Sequence, residues 1–134
     1  MKMKWPSYWP SGRQQMSLDV DLMVTQPVSV YSANITHNLG AMARAVEFGV
    51  EWTGEGELTL YDVLWRPEEH GLYFAREISD LLDIGWNILL SDPEKFKKLN
   101  PENGWGSYDG LVNFVYKYRN ACWDNPDAEL SVCR

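Results

Sequence analysis

From Leu18 to Thr25 apolar and acidic residues alternate, in the order Leu18-Asp19-Val20-Asp21-Leu22-Met23-Val24-Thr25, which is the period of a strand with one wet face. Pro27 interrupts the pattern, and Val28-Ser29-Val30-Tyr31 resumes it. The period then turns helical: Leu39, Met42, Ala43 and Val46 share one side of a helix that Asn34 or Thr36 can cap and Gly49 can end. Residues 58–65 are apolar without a decisive period. Arg66-Pro67-Glu68-Glu69 reads as a turn into a new helix, its acids suited to the positive end. In that helix Ala75, Ile78, Leu82, Gly85 and Leu89 form one continuous apolar stripe. Ser91-Asp92-Pro93-Glu94 stops it and opens a shorter helical turn. A last long helix carries Tyr108, Leu111, Val115, Tyr118 and Cys122, and Asn125-Pro126-Asp127 leads into a final strand over 128–133. Strands from both ends around these helices predict an α+β fold, a three-helix core on a small antiparallel sheet formed by N-terminal and C-terminal strands.

The first 15 residues fit neither period. With Trp5-Pro6, Trp9-Pro10, Lys2, Lys4 and Arg13 they read as an irregular arm, whose Trp-Pro pairs favour docking on a surface, that of a neighbouring subunit included. Residues 16–134 are then a single α+β domain, with an acidic, glycine-containing surface loop at 51–57. Seven Trp and seven Tyr are many for 134 residues, and point to an interface or stacking pocket beyond the core. The formal charge of -7, with no cluster of Lys and Arg, argues against direct nucleic-acid binding. The same charge suits an inhibitor that occupies a basic channel on a partner. Cys122 and Cys133 lack metal or redox spacing, no apolar run reaches membrane-spanning length, and the start of the chain lacks the apolar stretch of a signal peptide. The expectation is a cytoplasmic protein.

Two polar clusters carry the candidate chemistry. One is Asn34-Ile35-Thr36-His37-Asn38-Leu39; the other runs from Asn100 to Tyr108 through Asn103-Gly104-Trp105-Gly106. His37 has the ordinary pKa for acid–base work, and equally the position of a capping or packing residue. No nucleophile elbow, phosphate loop or zinc spacing accompanies it, so no catalytic residue, cofactor or metal is expected. In the Trp65-Arg66 turn, Arg66 can grip a phosphate or pair with Glu68 or Glu69, and Trp65 can stack a base. Gly104 and Gly106 free the backbone around Trp105, which either plugs into the core or faces a ligand. Together these groups suit a pocket for a nucleotide-type small molecule: Trp65, Trp105 or Tyr108 stacking, Arg66 on phosphate, and Asn34, His37, Asn38 and Asn103 reading polar edges.

The pieces Ser32 to Ala43, Leu64-Trp65-Arg66-Pro67-Glu68-Glu69, Asp92-Pro93-Glu94 and Asn100 to Tyr108 resemble a group of short bacteriophage- and prophage-encoded proteins with no assigned activity. The resemblance runs from about Met16 to the end, with the arm at 1–15 and the loop at 51–57 as departures from the pattern. It implies a viral accessory protein acting against host defences in the bacterial cytoplasm. Two mechanisms follow as expectations. One is a homo-oligomer that sequesters a nucleotide-type ligand without turnover; the other is an acidic inhibitor that covers a host defence protein. A small hydrolase with His37 as base is a third class.

Overall fold

The computed structural model of the protein describes residues 17–24, 29–51 and 57–134. The chain runs β1 (Ser17–Met23), β2 (Ser29–Thr36), a 3₁₀ turn (His37–Leu39), α1 (Gly40–Arg44), β3 (Glu47–Glu51), β4 (Glu57–Thr59) and α2 (Leu60–Trp65). A second 3₁₀ turn (Pro67–His70), α3 (Ala75–Ser91), α4 (Pro93–Lys97), α5 (Tyr108–Asp124) and β5 (Glu129–Cys133) complete it. The arm at 1–15, Pro27 and most of the loop at 51–57 lie outside the described residues.

The alternation read from the sequence builds the main sheet, of order β2-β1-β5 and antiparallel throughout. Leu18, Val20 and Leu22 are fully buried, opposite Ile35, Ala33 and Tyr31 on β2. Each such burial contributes about 1.5–3 kcal/mol. Asp19 and Asp21 take the other face, opposite Asn34 and Ser32. The fold is therefore α+β, with the amino-terminal and carboxyl-terminal strands in one sheet.

The long helices α3 and α5 are antiparallel neighbours. Tyr108 Oη donates to the Leu89 carbonyl at 2.6 Å, and Arg119 Nη1 to Asp83 at 2.9 Å. Tyr118 of α5 stacks on Tyr31 of β2, ring centres 6.1 Å apart, which lays α5 along the sheet's buried side. Every residue of both predicted apolar stripes is buried. Asp92 accepts from the Lys95 N–H and Pro93 opens α4, as the Ser-Asp-Pro-Glu signature predicts.

Two helix expectations are corrected, and the segment left open by the sequence takes a definite form. The helix expected over Leu39 to Gly49 is a 3₁₀ turn and the five-residue α1, after which β3 pairs with β4; Gly49 lies in β3 at φ 74°. Leu39, Met42, Ala43 and Val46 are buried all the same, so burial and not helix length produced their spacing. Asn34 stays in β2, and Thr36 alone caps the turn. The segment at 58–65 is a strand end followed by α2, where Thr59 and Asp62 form a reciprocal capping box. Finally, Pro67 and the acids after it form their own 3₁₀ turn, ended by Gly71 at φ 74°, four residues before α3 begins.

Candidate functional site

Asn34 at the end of β2, Asn38 in the first 3₁₀ turn, and Asn103 and Trp105 in the loop before α5 line one opening of about 420 Å³, together with Ser17 and Thr36. The two polar clusters, over sixty residues apart in sequence, thus meet. Thr36 Oγ1 accepts from both the backbone N–H of Asn38 at 3.3 Å and its side-chain amide at 3.1 Å, which fixes the turn. Asn103 Oδ1 accepts from the Trp105 N–H at 2.9 Å, and Asn100 Oδ1 from the Tyr108 N–H at 2.8 Å, which fixes the loop. Gly106, at φ 105°, lets the loop lie directly on the turn: a Cβ there would stand 2.7 Å from Thr36 Cγ2 and 2.9 Å from Leu39 Cγ. The result is an indole 68% exposed on a braced backbone.

A second hollow of about 330 Å³ lies between β2 and α5 and shares Asn34 and Thr36 with the first. Tyr31, Ile35 and Phe114 give it an apolar wall, and Lys117 stands in it. Among the described residues neither hollow is lined by a carboxylate, in a chain that holds 19 Asp and Glu. Among the described residues the Asn34 amide and the Lys117 ammonium form no hydrogen bond or ion pair, so both are unspent.

The other expected ligand residues are committed elsewhere. Trp65 is 1% exposed, and its Nε1–H donates to His37 Nδ1 at 2.8 Å. That bond occupies one imidazole lone pair and leaves the ring proton on Nε2, so His37 as it stands has no free nitrogen to act as a base. Burial pushes the His37 pKa down, opposed in part by Asp19; burial and the neighbouring Asp21 push Asp19 up, and His37 works against them. Trp65 stacks in turn on Tyr61, rings 5.0 Å apart, and the Arg44 guanidinium covers Tyr61 at 3.8 Å. Its faces are not available to a base. Arg66 is held by Glu69 at 2.7 Å, which makes it a turn clamp, and Arg134 occupies Glu68. Tyr108 is buried, with its hydroxyl spent on Leu89.

Two features escaped sequence reasoning. Lys117 could have been found only by knowing that its helix lies along β2. The second is an aromatic cluster on the outer side of α3 and α5. Arg119, 8% exposed, stands 4.5 Å from the Trp123 ring, 4.6 Å from Trp86 and 4.9 Å from Tyr116, with Asp83 and Asn120 as hydrogen-bond acceptors. The i, i+3, i+7 spacing of Tyr116, Arg119 and Trp123 was a legible signal for it. Among the described residues no group of three metal-binding side chains occurs, and no helix is long and apolar enough to cross a membrane. No family model, curated protein or solved structure matches the chain.

Proposed function

We propose that the chain is a non-catalytic binding protein that takes an anionic, planar small molecule of the nucleotide type into the double hollow beside β2. The observation that carries this reading is that no described carboxylate lines either hollow of an acidic protein, next to an exposed indole and an ammonium that no described residue pairs. Stacking on Trp105 would hold the planar part, and the free groups of Asn34, Asn38 and Asn103 would read its polar edges. Lys117 would face its negative charge. Binding without turnover is the reading that the engaged His37 favours. In the viral setting that the sequence resemblance implies, such a protein withholds a signalling nucleotide from a host defence system.

The test is thermal stabilisation by a panel of linear and cyclic nucleotides. A ligand at about 100 times its Kd stabilises the folded chain by about 2.7 kcal/mol. Loss of the stacking ring in Trp105→Ala should weaken binding about tenfold or more, and Lys117→Glu should do so most for the ligands of highest charge. No shift with any nucleotide, up to millimolar concentration, overturns the reading.

A second reading rests on the outer cluster of α3 and α5, where Trp123 and Tyr116 are 48% and 42% exposed beside Asp83. Exposed rings next to acids are the chemistry of an inhibitor that covers a basic protein surface. Trp123→Ala would then abolish capture of the partner and leave nucleotide stabilisation intact.

A further inference from the structure

The main sheet ends in two unlike edges. Alongside β5 runs the segment Tyr73 to Ala75: Phe74 bridges Glu129, the Leu130 N–H donates to the Tyr73 carbonyl at 2.8 Å, and the Ala75 N–H to the Ala128 carbonyl at 2.9 Å. That edge is covered over residues 128–130. Among the described residues no strand covers β2. Open edges are ordinarily blunted by brevity, charge or proline. Yet β2 is eight residues of Ser-Val-Tyr-Ser-Ala-Asn-Ile-Thr, without a charge or a proline. Its register shift against β1 lies at one end, opposite Leu22 and Met23, and leaves Tyr31 to Thr36 regular.

From this we infer that β2 is a self-pairing edge: β2 of one copy joins β2 of a second copy antiparallel, making one six-stranded sheet across a two-fold axis. The strand is self-complementary about Ala33. In that register Ser32 of each copy faces Asn34 of the other, Tyr31 faces Ile35, and Val30 faces Thr36. Hydroxyl with amide, aromatic with aliphatic, and a β-branched pair are all favourable cross-strand partners. The pairing employs the Asn34 amide, which is otherwise unspent, and covers Val30, which is 41% exposed. Charge points to a second copy and not to a charged peptide. Two chains of net charge -7 repel, but the seam between them carries no ionised side chain on either strand. Asn34 and Thr36 line both hollows, so the second copy brings its Ser32 and Val30 to their rim.

Sedimentation of the full chain, from about 1 μM to about 300 μM in low and high salt, tests this. The expected result is a monomer–dimer equilibrium that tightens with salt, as screening relieves the repulsion between the two acidic bodies. Ser32→Lys and Val30→Lys, both at exposed positions, should each weaken the dimer at least about tenfold, the first by like charges diagonal to each other across the seam and the second by setting a hydrated ammonium against Thr36 of the second copy. Their melting temperatures at dilution should match the parent. Hydrogen exchange supplies a second readout: the outward amides of β2 gain protection with concentration in the parent and not in the variants. A parent chain that stays monomeric over the whole range overturns the proposal. So does a dimer that both lysine variants leave unchanged, since its interface would lie elsewhere, the Trp123 face included.

Discussion

Replacing Gly106 by alanine tests the whole construction of the Trp105 loop. At φ 105° an L side chain is strained, which costs about 1–3 kcal/mol. Its Cβ would also stand 2.7 Å from Thr36 Cγ2 and 2.9 Å from Leu39 Cγ, and Leu39 is 1% exposed. Overpacking of that kind costs about 1–3 kcal/mol more. The stiffer unfolded chain returns about 0.4–1 kcal/mol, so the net loss should be about 1–5 kcal/mol. For a domain of this size that lowers the melting temperature by roughly 4 to 20 °C. Gly104→Ala is the internal control, because Gly104 sits at φ 77° with nothing within 4 Å of the added carbon. It bears the left-handed strain alone and should cost about 1 kcal/mol. Urea unfolding of both variants decides the matter. Equal losses, within about 0.5 kcal/mol, would show that the loop does not lie on the Thr36 turn, and the cleft would then lack the wall that the geometry gives it.

Further outcomes follow from single contacts. Burial depresses the His37 pKa, so its share of the stability is fully present above the ordinary value of about 6.5 and is lost as the pH falls below it toward the depressed folded value. Unfolding free energy should therefore drop as the pH falls from about 7.5 through the ordinary histidine range. His37→Gln, which keeps an acceptor for Trp65, should flatten that slope; Asp19, whose pKa is raised, acts with the opposite sign and only in the lower, carboxylate range. Burial pushes the Cys122 thiol up to about 12, so a thiol reagent should modify the native protein at Cys133 and reach Cys122 only on unfolding. Rapid modification of both in the native state would contradict the burial. Arg119→Lys should cost about 1–3 kcal/mol, since a point ammonium cannot hold Asp83 and Asn120 while stacking on three rings. A neutral result in urea unfolding would mean that the cluster is not a unit.

Periodicity revealed the parts of this fold where one period runs long enough to be unambiguous. The Leu18-Val20-Leu22 alternation and the stripes of α3 and α5 were legible because burial repeats there over several turns or registers. Around Leu39 to Val46 the spacing was also real, but five helical residues and a turn met it as well as a full helix would. Pairing of Glu47 with Thr59 drew the following residues into a strand, and that partner cannot be seen from local pattern. The site shows the same division. Short polar residues and glycines in the sequence drew attention to Asn34, Asn38, Asn103 and Trp105, and the structure brings these four around one opening. Trp65, Arg66 and Tyr108 stand apart from it, engaged by His37, Glu69 and Leu89, partners that become evident only in three dimensions.

The placement of charge links these levels. The carboxylates opposite β2 belong to β1, where Asp19 and Asp21 occupy the sheet's outer face, while β2 itself carries hydroxyls, amides and apolar groups only. That division keeps a negative strand one step away from a neutral edge. A neutral edge is what both a planar anion and a second copy of the chain require, because each would be repelled by a carboxylate at the rim. Ser32→Asp puts one there without touching the core, and it should weaken nucleotide binding and self-pairing together. Ser32→Lys separates the two: it should still break the dimer by like charge, yet favour the anion. Opposite signs for these variants in the ligand assay, with loss of the dimer in both, would establish that one uncharged strand serves both contacts. The same sign in both assays would mean that the added side chain acts by bulk, and the electrostatic argument would fail.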